Sequence, residues 1–581
     1  MSKTKVTSFS FLFFFFTLFS YAQIKNVWTS EEPENLLLYQ KNSRNIKTKK
    51  EKIFRLEISQ LKMQLKNCKK RSKRKAQKSA PVLLEFPNKE KGFSSYEIFE
   101  TSYMGDALQA KFPNIKSYVG IRSDQKGSIR FSISSLGLHA IIFDETGKTH
   151  YIDPYTKDGR NYTFYSKSDL SRPKKVFRCE TEESTILKKE KKSARRAVTT
   201  DGKLRTFRMA LGCTGEYAQF HLTDQGIANS ASETEKKTAV LAAMFVTLTR
   251  INAILERELA INLELIPNND QLVFLDPAQD GLTNDNEEFM LHEIQEICDV
   301  NIGFSNYDIG HVFAQGSPGG VAELAAACTL KKAQGVTRTN LPKGDAFDVD
   351  FVAHEIGHQF GATHTFHNNC SGNRTNATAV EPGSGSTIMA YAGICSPNVQ
   401  QEADAYFHSL SLEQITASIL FGNNNCGNLT DIGNGAPTAN AGENYTIPIS
   451  TPFQLQGSGN VSAGTASYSW EQRDIELAIM PPLSSNRNGP LFRSIPPVSS
   501  PFRYFPALNT LLSGAMGSTW ERLSSVERQL NFAFTVRDNN TFGGQIGIDG
   551  MSISVSEDAG PFFVTSQAVS DVFHAGESKL I

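Results

Sequence analysis

Apolar residues change their spacing several times along this chain, and each change predicts a different kind of element. Residues 24–80 are polar and basic, with helical periodicity over Glu51 to Leu65. From 81 to 170 the pattern is strand-like. Ile129-Arg130-Phe131-Ser132-Ile133 alternates, and Leu138 to Phe143 is a further strand before the turn chemistry of Asp144-Glu145-Thr146-Gly147. After about 203, helices and strands interleave. Arg205 to Leu211, Ile261 to Ile266 and Asp308 to Ala314 read as strands, and Gly319 to Leu324 as a Gly-led extended piece. Glu235 to Leu259 is an amphipathic helix with Val240, Ala243, Met244, Leu248 and Ile251 on one side. Asn286 to Ile297 and Ser411 to Phe421 are further helices. Val349, Val352, Ile356 and Phe360 recur at helical spacing, with Asp348 placed as N-cap. The stretch 366–388 is irregular and Gly/Asn/Ser-rich. Gly435-Ala436-Pro437 then opens a region of short strands, with Trp470 in the alternating Tyr468 to Glu471. The expected architecture is multidomain: a β-rich N-terminal part, an α/β domain with a cleft, and a C-terminal β-sandwich.

Composition narrows the function classes. The 581 residues carry no formal net charge, which argues against a nucleic-acid or membrane-surface role for the whole chain. The start reads as a secretory signal peptide. Lys3 and Lys5 precede the short apolar run Phe11 to Phe19, and Ser20-Tyr21-Ala22 offers a cleavage site. The expectation is a secreted, extracellular protein with no membrane span once that signal is removed. Lys66 to Lys78 and Lys188 to Arg196 are charged runs without an apolar pattern, so they read as solvated linkers, the second open to proteolysis. Export permits disulfides. Of the eight cysteines, six lie between 213 and 426, with Cys68 and Cys179 upstream.

The chemistry concentrates in His354-Glu355-Ile356-Gly357-His358-Gln359-Phe360-Gly361-Ala362-Thr363-His364. His354 and His358 stack on one helix face. Gly361 can take the positive φ that ends the helix and lets His364 return to the same point. Three imidazoles with one position left open suit a catalytic Zn2+, and Glu355 is placed to act on a water there.

This motif, with Met389, resembles the metzincin zinc endopeptidases. Gly319-Gly320-Val321-Ala322, Cys328 and Gly335-Val336 look like the substrate-side edge strand of their reprolysin (adamalysin) branch. The resemblance covers roughly 203–432. It implies His354, His358 and His364 as ligands of one Zn2+, Glu355 as general base and acid, and Met389 as the Met-turn. It also implies Gly320, Val321 and Ala322 as the strand that aligns a peptide substrate. Reprolysins usually carry Asp after the third His, where this chain has Thr365. Met389-Ala390-Tyr391 is similar to the astacin and serralysin pattern, so Tyr391 is a candidate fifth ligand or oxyanion donor, beside the plainer reading of a core tyrosine. By resemblance Cys328 pairs with Cys426. Cys370 and Cys395 bracket the loop beside the Met-turn, which leaves Cys213 with Cys298.

The domains expected are a signal peptide (1–22), a propeptide (23–198), a catalytic domain (199–432) and an accessory β-domain (436–560) resembling PKD-like or immunoglobulin-like modules. Residues 561–581 form a tail or the start of another domain. Cys179 admits three readings: a cysteine switch on the metal, a Cys68–Cys179 bridge, or an inert thiol. Asp538-Asn539-Asn540 is a candidate calcium loop whose spacing fits no calcium motif, and an Asx-turn accounts for it. The function expected is a secreted zinc-dependent endopeptidase made as a zymogen. It would cleave protein or peptide substrates with zinc-activated water and be activated by another protease. The alternatives are a binding protein with a vestigial metzincin domain, or a zinc amidase on a non-protein substrate.

Overall fold

A computed structural model describes residues 26–32, 36, 47–48, 52–71, 81–90, 92–171, 177–181 and 198–562. The expected signal peptide, the Lys188–Arg196 stretch and residues 563–581 lie outside the described residues.

The N-terminal part is a nine-stranded antiparallel sheet. Its spatial order is Trp28–Glu31, Lys52–Leu56, Asn161–Ser166, Thr149–Pro154, Gly137–Phe143, Ser128–Ser134, Lys116–Arg122, Phe93–Thr101 and Val82–Pro87. The helical periodicity read over Glu51 to Leu65 holds only in its second half. Lys52–Leu56 is a strand, because Trp28–Glu31 and Asn161–Ser166 flank it and outweigh local spacing. Strand alternation sends residues to two different cores. Ile129, Phe131, Ile142 and Ile152 enter the sheet's own core, while Ile141, Phe143 and Tyr151 point into the core of the next region.

That next region is α/β. It comprises β1 (Lys203–Cys213), α1 (Gly215–Gln225), α2 (Glu233–Leu259), β2 (Ile261–Leu265), α3 (Glu287–Cys298), β3 (Ile309–Gln315), β4 (Gly319–Ala322), β5 (Gly335–Thr339), α4 (Ala353–Gln359), α5 (Ser409–Phe421) and β6 (Asn428–Asp431). The sheet order is β2-β1-β3-β5-β4, with β6 antiparallel to β1. β4 is the edge strand, antiparallel to β5. Ser232 caps α2 through a full capping box with Glu235. The sequence predicts one buried face for α2, but nearly its whole length is buried. Both the α/β sheet and the N-terminal sheet pack on it. By length and composition α2 could cross a membrane, yet it is core here.

The C-terminal part is β-rich. Ser467–Gln472, Arg528–Arg537 and Ile546–Ser556 form an antiparallel sheet around Trp470, Phe505, Phe532 and Phe534. Val198–Thr199 joins this sheet by pairing with Ile548 and Gly547, so the chain visits it before entering β1. Asp538 is an Asx-turn, as expected: its Oδ1 accepts from the Asn540 and Gln545 amides. The C-terminal part is locked to α2 by Arg537, whose Nε donates to Glu258 at 3.0 Å with both side chains fully buried.

Candidate metal centre

The helix that carries the motif begins earlier than the sequence suggests. Ala346–Val352 is π-helical and runs directly into α4. Asp348 therefore is not an N-cap. It lies inside the helix, buried, accepting from Thr247 Oγ1 and Arg250 Nη1 of α2. Gly361 takes φ 100° and turns the chain as expected, which brings His364 back to the other two imidazoles.

His354 Nε2 lies 3.1 Å from His358 Nε2 and 3.2 Å from His364 Nε2. Each Nδ1 donates to a backbone carbonyl: His354 to Ile388 at 2.7 Å, His358 to Ala362 at 2.8 Å and His364 to Asn373 at 3.0 Å. These bonds fix the tautomer, so three Nε2 lone pairs face one point. Three acceptors so placed repel one another unless a cation lies between them. Cys179 Sγ is 3.5 Å from His358 Nε2, and all four donor atoms lie within 4.8 Å of one another. Four donors at ordinary zinc distances in a tetrahedron would stand about 3.3 Å apart for N to N and about 3.6 Å for N to S. The residues present fit zinc. Burial pushes the His354 imidazolium down to about 4 and holds those of His358 and His364 well below the usual range, so all three rings are neutral donors.

Glu355 is fully buried. Its Oε2 is 3.7 Å from Cys179 Sγ, and Oε1 has no hydrogen-bond partner among the described residues. Burial raises its carboxyl to about 8. The Met389 side chain packs against Gly357, between the two helix histidines, where a Cβ would collide with its sulfur.

Residues 177–181 run beside β4. Gly320 N donates to Arg178 O and Glu180 N to Gly320 O, each at 2.9 Å, and Ala322 N donates to Thr181 Oγ1 at 3.0 Å. Phe177 stacks on Phe351 with ring centroids 4.0 Å apart. The strand Gly320-Val321-Ala322 is thus paired, in this state, with the chain's own N-terminal part. No disulfide joins Cys179 to Cys68, whose thiol points to Ile98 O in the N-terminal sheet, so the bridge reading falls.

Residues 204–420 match the family model described as metallo-peptidase family M12B, reprolysin-like. This part of the chain is reprolysin-like. No curated protein matches the chain. Two disulfides brace the reprolysin-like region: Cys328–Cys426, and Cys370–Cys395 beside the 366–388 loop. The third expected pair, Cys213–Cys298, is not formed. Phe207, Met209, Leu211 and Cys213 alternate toward α1 and α2. Ala210 faces the opposite core, which contains Cys298 of α3. The sheet separates the two thiols.

Sequence reasoning missed two residues. Glu381, fully buried, accepts from Thr365 Oγ1 at 2.7 Å, Ser386 N at 2.8 Å and Thr387 N at 3.2 Å. It ties the residue after His364 to the turn that leads to Met389. Asn373 offers its backbone carbonyl to His364, and its side chain lies against Cys179 and Tyr391. Neither sits at a motif spacing. A lone carboxylate between Val380 and Pro382 was the one available hint. The loop wall is also held from outside. Arg374 donates to Ile475 O, the Ala478 amide donates to His367, and Trp520 covers Gly383.

Proposed function

We propose that this protein is a zinc endopeptidase made as a latent precursor. The observation that carries the reading is the convergence of three neutral Nε2 donors on one point, with every Nδ1 committed to a carbonyl. Bound there, zinc would act as a Lewis acid and lower the pKa of a water. Glu355, buried beside the three histidines, would serve as the general base that accepts a proton there and then the acid that returns one to the departing amine. β4 aligns an extended peptide by backbone pairing. Topology, the long zinc motif and the Met389 turn together favour a metzincin fold with His354, His358 and His364 as ligands. The C-terminal part reads as a β-sandwich of PKD-like or immunoglobulin-like kind.

Latency is the second half of the reading. The N-terminal part acts as a propeptide whose segment 177–181 fills the substrate position. Cys179 supplies a fourth donor, its Sγ 3.5 Å from His358 Nε2. Cleavage within 182–197 by an activating protease would sever the connection. The family and the two disulfides favour an extracellular setting, consistent with the signal-like start. The test is elemental analysis plus casein digestion, before and after linker proteolysis and with a chelator. One zinc per chain and chelator-sensitive cleavage after proteolysis are expected. A protein without bound zinc, or with digestion indifferent to the chelator, contradicts the proposal.

A further inference from the structure

We infer that the C-terminal β-rich part is a built-in wall of the peptidase cleft, and that Arg374, His367 and Trp520 are the positioning residues through which it holds the loop that aims His364. The inference rests on the peptidase reading above. Apart from one short turn at Cys370–Gly372, the 366–388 loop contains no helix or strand, so its shape depends on what packs against it. Asn373 ties this loop to the metal point and to the cleft. Its carbonyl takes the His364 Nδ1–H at 3.0 Å, and its side-chain amide donates to Cys179 O at 2.7 Å. The segment in the cleft therefore lies between β4, with which it pairs, and the loop.

Outside support reaches the loop at three places. Arg374, the residue after Asn373, donates from Nη2 to Ile475 O at 2.7 Å. His367 is buried and bridges the two parts. Its Nδ1 donates to Ala379 O within the loop at 2.9 Å, which leaves Nε2 to accept from the Ala478 amide at 3.0 Å. Trp520 lies against Gly383, where a Cβ would stand 2.5 Å from the ring. Gly383 O in turn accepts from the His367 and Asn368 amides, each at 3.0 Å. Ile475, Ala478 and Trp520 all belong to the C-terminal part. The joint does not use the N-terminal part. Arg537 on Glu258, both bonds of the Arg473 fork to Glu413 of α5 at 2.9 Å, and the Ser409 amide on Glu471 at 2.8 Å fasten the C-terminal part directly to the α/β region. Val198–Thr199, which pairs into the C-terminal sheet, lies downstream of the proposed cleavage. A loop held in this way passes its position on. If Arg374 shifts, the Asn373 carbonyl beside it moves, and the ring of the third histidine follows. Partners that orient a metal-bound histidine are worth about 10–100-fold in metal affinity. The C-terminal part thus governs both the hold on the metal and the width of the cleft, whereas an appended module would leave both unchanged when its contacts were cut.

The test alters one residue on each side of the joint, in the full-length chain. Arg374→Met removes the bond to Ile475 O, and Arg374→Lys keeps a donor there. Trp520→Ala uncovers Gly383, and Trp520→Phe keeps a ring. Trp520 stands outside the core around Trp470, Phe505, Phe532 and Phe534, so shortening it spares the packing of the C-terminal part. Hydrogen exchange across residues 366–388 is read on the metal-free protein, and zinc affinity by chelator competition. After linker proteolysis kcat/KM is measured at saturating zinc, with the unfolding midpoint as control. Arg374→Met and Trp520→Ala are expected to exchange faster in the loop, to bind zinc about tenfold more weakly and to lose about tenfold in kcat/KM at an unchanged midpoint. The Lys and Phe variants should recover to within about threefold of the parent. Zinc affinity and kcat/KM within about twofold of the parent in both the Met and Ala variants overturn the inference. So does a loss that follows a lowered midpoint and is not recovered by Lys and Phe. If the parent itself hydrolyses no peptide, the peptidase reading fails; the wall is then judged by exchange and zinc competition alone, and unchanged loop exchange refutes it.

Discussion

Gly320 lies on β4 against the Glu355 carboxylate, and replacing it with alanine tests how closely the site is built. A Cβ at this position would stand 2.8 Å from Glu355 Cδ and 2.8 Å from Phe177 Cζ, where ordinary contact begins at 3.4 Å. One group must therefore give way by about 0.6 Å or more, since van der Waals repulsion rises steeply below contact. Gly320 is not among the positive-φ glycines, so alanine is tolerated by the backbone and the perturbation is the contact itself. On the proposed activation Phe177 would leave with the N-terminal part, and Glu355 would then absorb the whole shift. It sits on a helix already fixed by neighbouring packing, so it moves by leaving its rotamer, at about 0.5–1.5 kcal/mol. A misplacement approaching 1 Å at a reacting group costs on the order of 100-fold in rate, or about 2.7 kcal/mol. The assay is kcat on a peptide substrate after linker proteolysis, with zinc content measured on the same sample. The expected result is a fall of about 100-fold with zinc retained. A kcat within threefold of the parent would mean that β4 and Glu355 do not meet in the working enzyme, and would refute the reasoning.

Three other predictions follow from the same geometry. Cys179→Ser in the uncleaved protein should release measurable peptidase activity, because serine is a poor fourth donor; latency equal to the parent's would remove Cys179 from the inhibitory contact. Glu381→Gln turns an acceptor toward donation opposite the Ser386 and Thr387 amides, and should weaken zinc binding by about 10–100-fold in a chelator competition. Arg537→Met leaves Glu258 buried with its neighbour Arg257 as sole cationic partner among the described residues, and should cost about 3–5 kcal/mol by denaturant unfolding; a cost below 1 kcal/mol would show that this pair is not what joins the C-terminal part to α2.

The sequence was most informative where one residue type at one spacing has one physical use. The His354, His358 and His364 pattern, the turn at Gly361 and the alternating strands are of that kind. It was least informative where long-range packing decides. Lys52–Leu56 looks helical alone and becomes a strand because two neighbours pair with it. The burial of α2 on every face from Ala239 onward depends in part on a sheet whose nearest strand ends 67 residues before it in sequence. Cys213 and Cys298 are adjacent by elimination but separated by a sheet. Asn373 and Glu381 have no local signature, since an asparagine in an irregular loop and a single glutamate gain meaning only through what folds against them. The 366–388 loop is shaped in part by Arg374 and His367 bonding to the C-terminal region, a contact that no local pattern encodes.

The central claim is that Glu355 performs the proton transfers at a zinc held by three histidines. Glu355→Gln keeps size and shape but removes the base. Zinc content and casein cleavage after linker proteolysis should be measured together on this variant and the parent. The account predicts equal zinc, one per chain, and cleavage reduced by at least about 1,000-fold, from loss of general-base catalysis and of its positioning. A variant that holds zinc and cleaves casein at the parent's rate would contradict it.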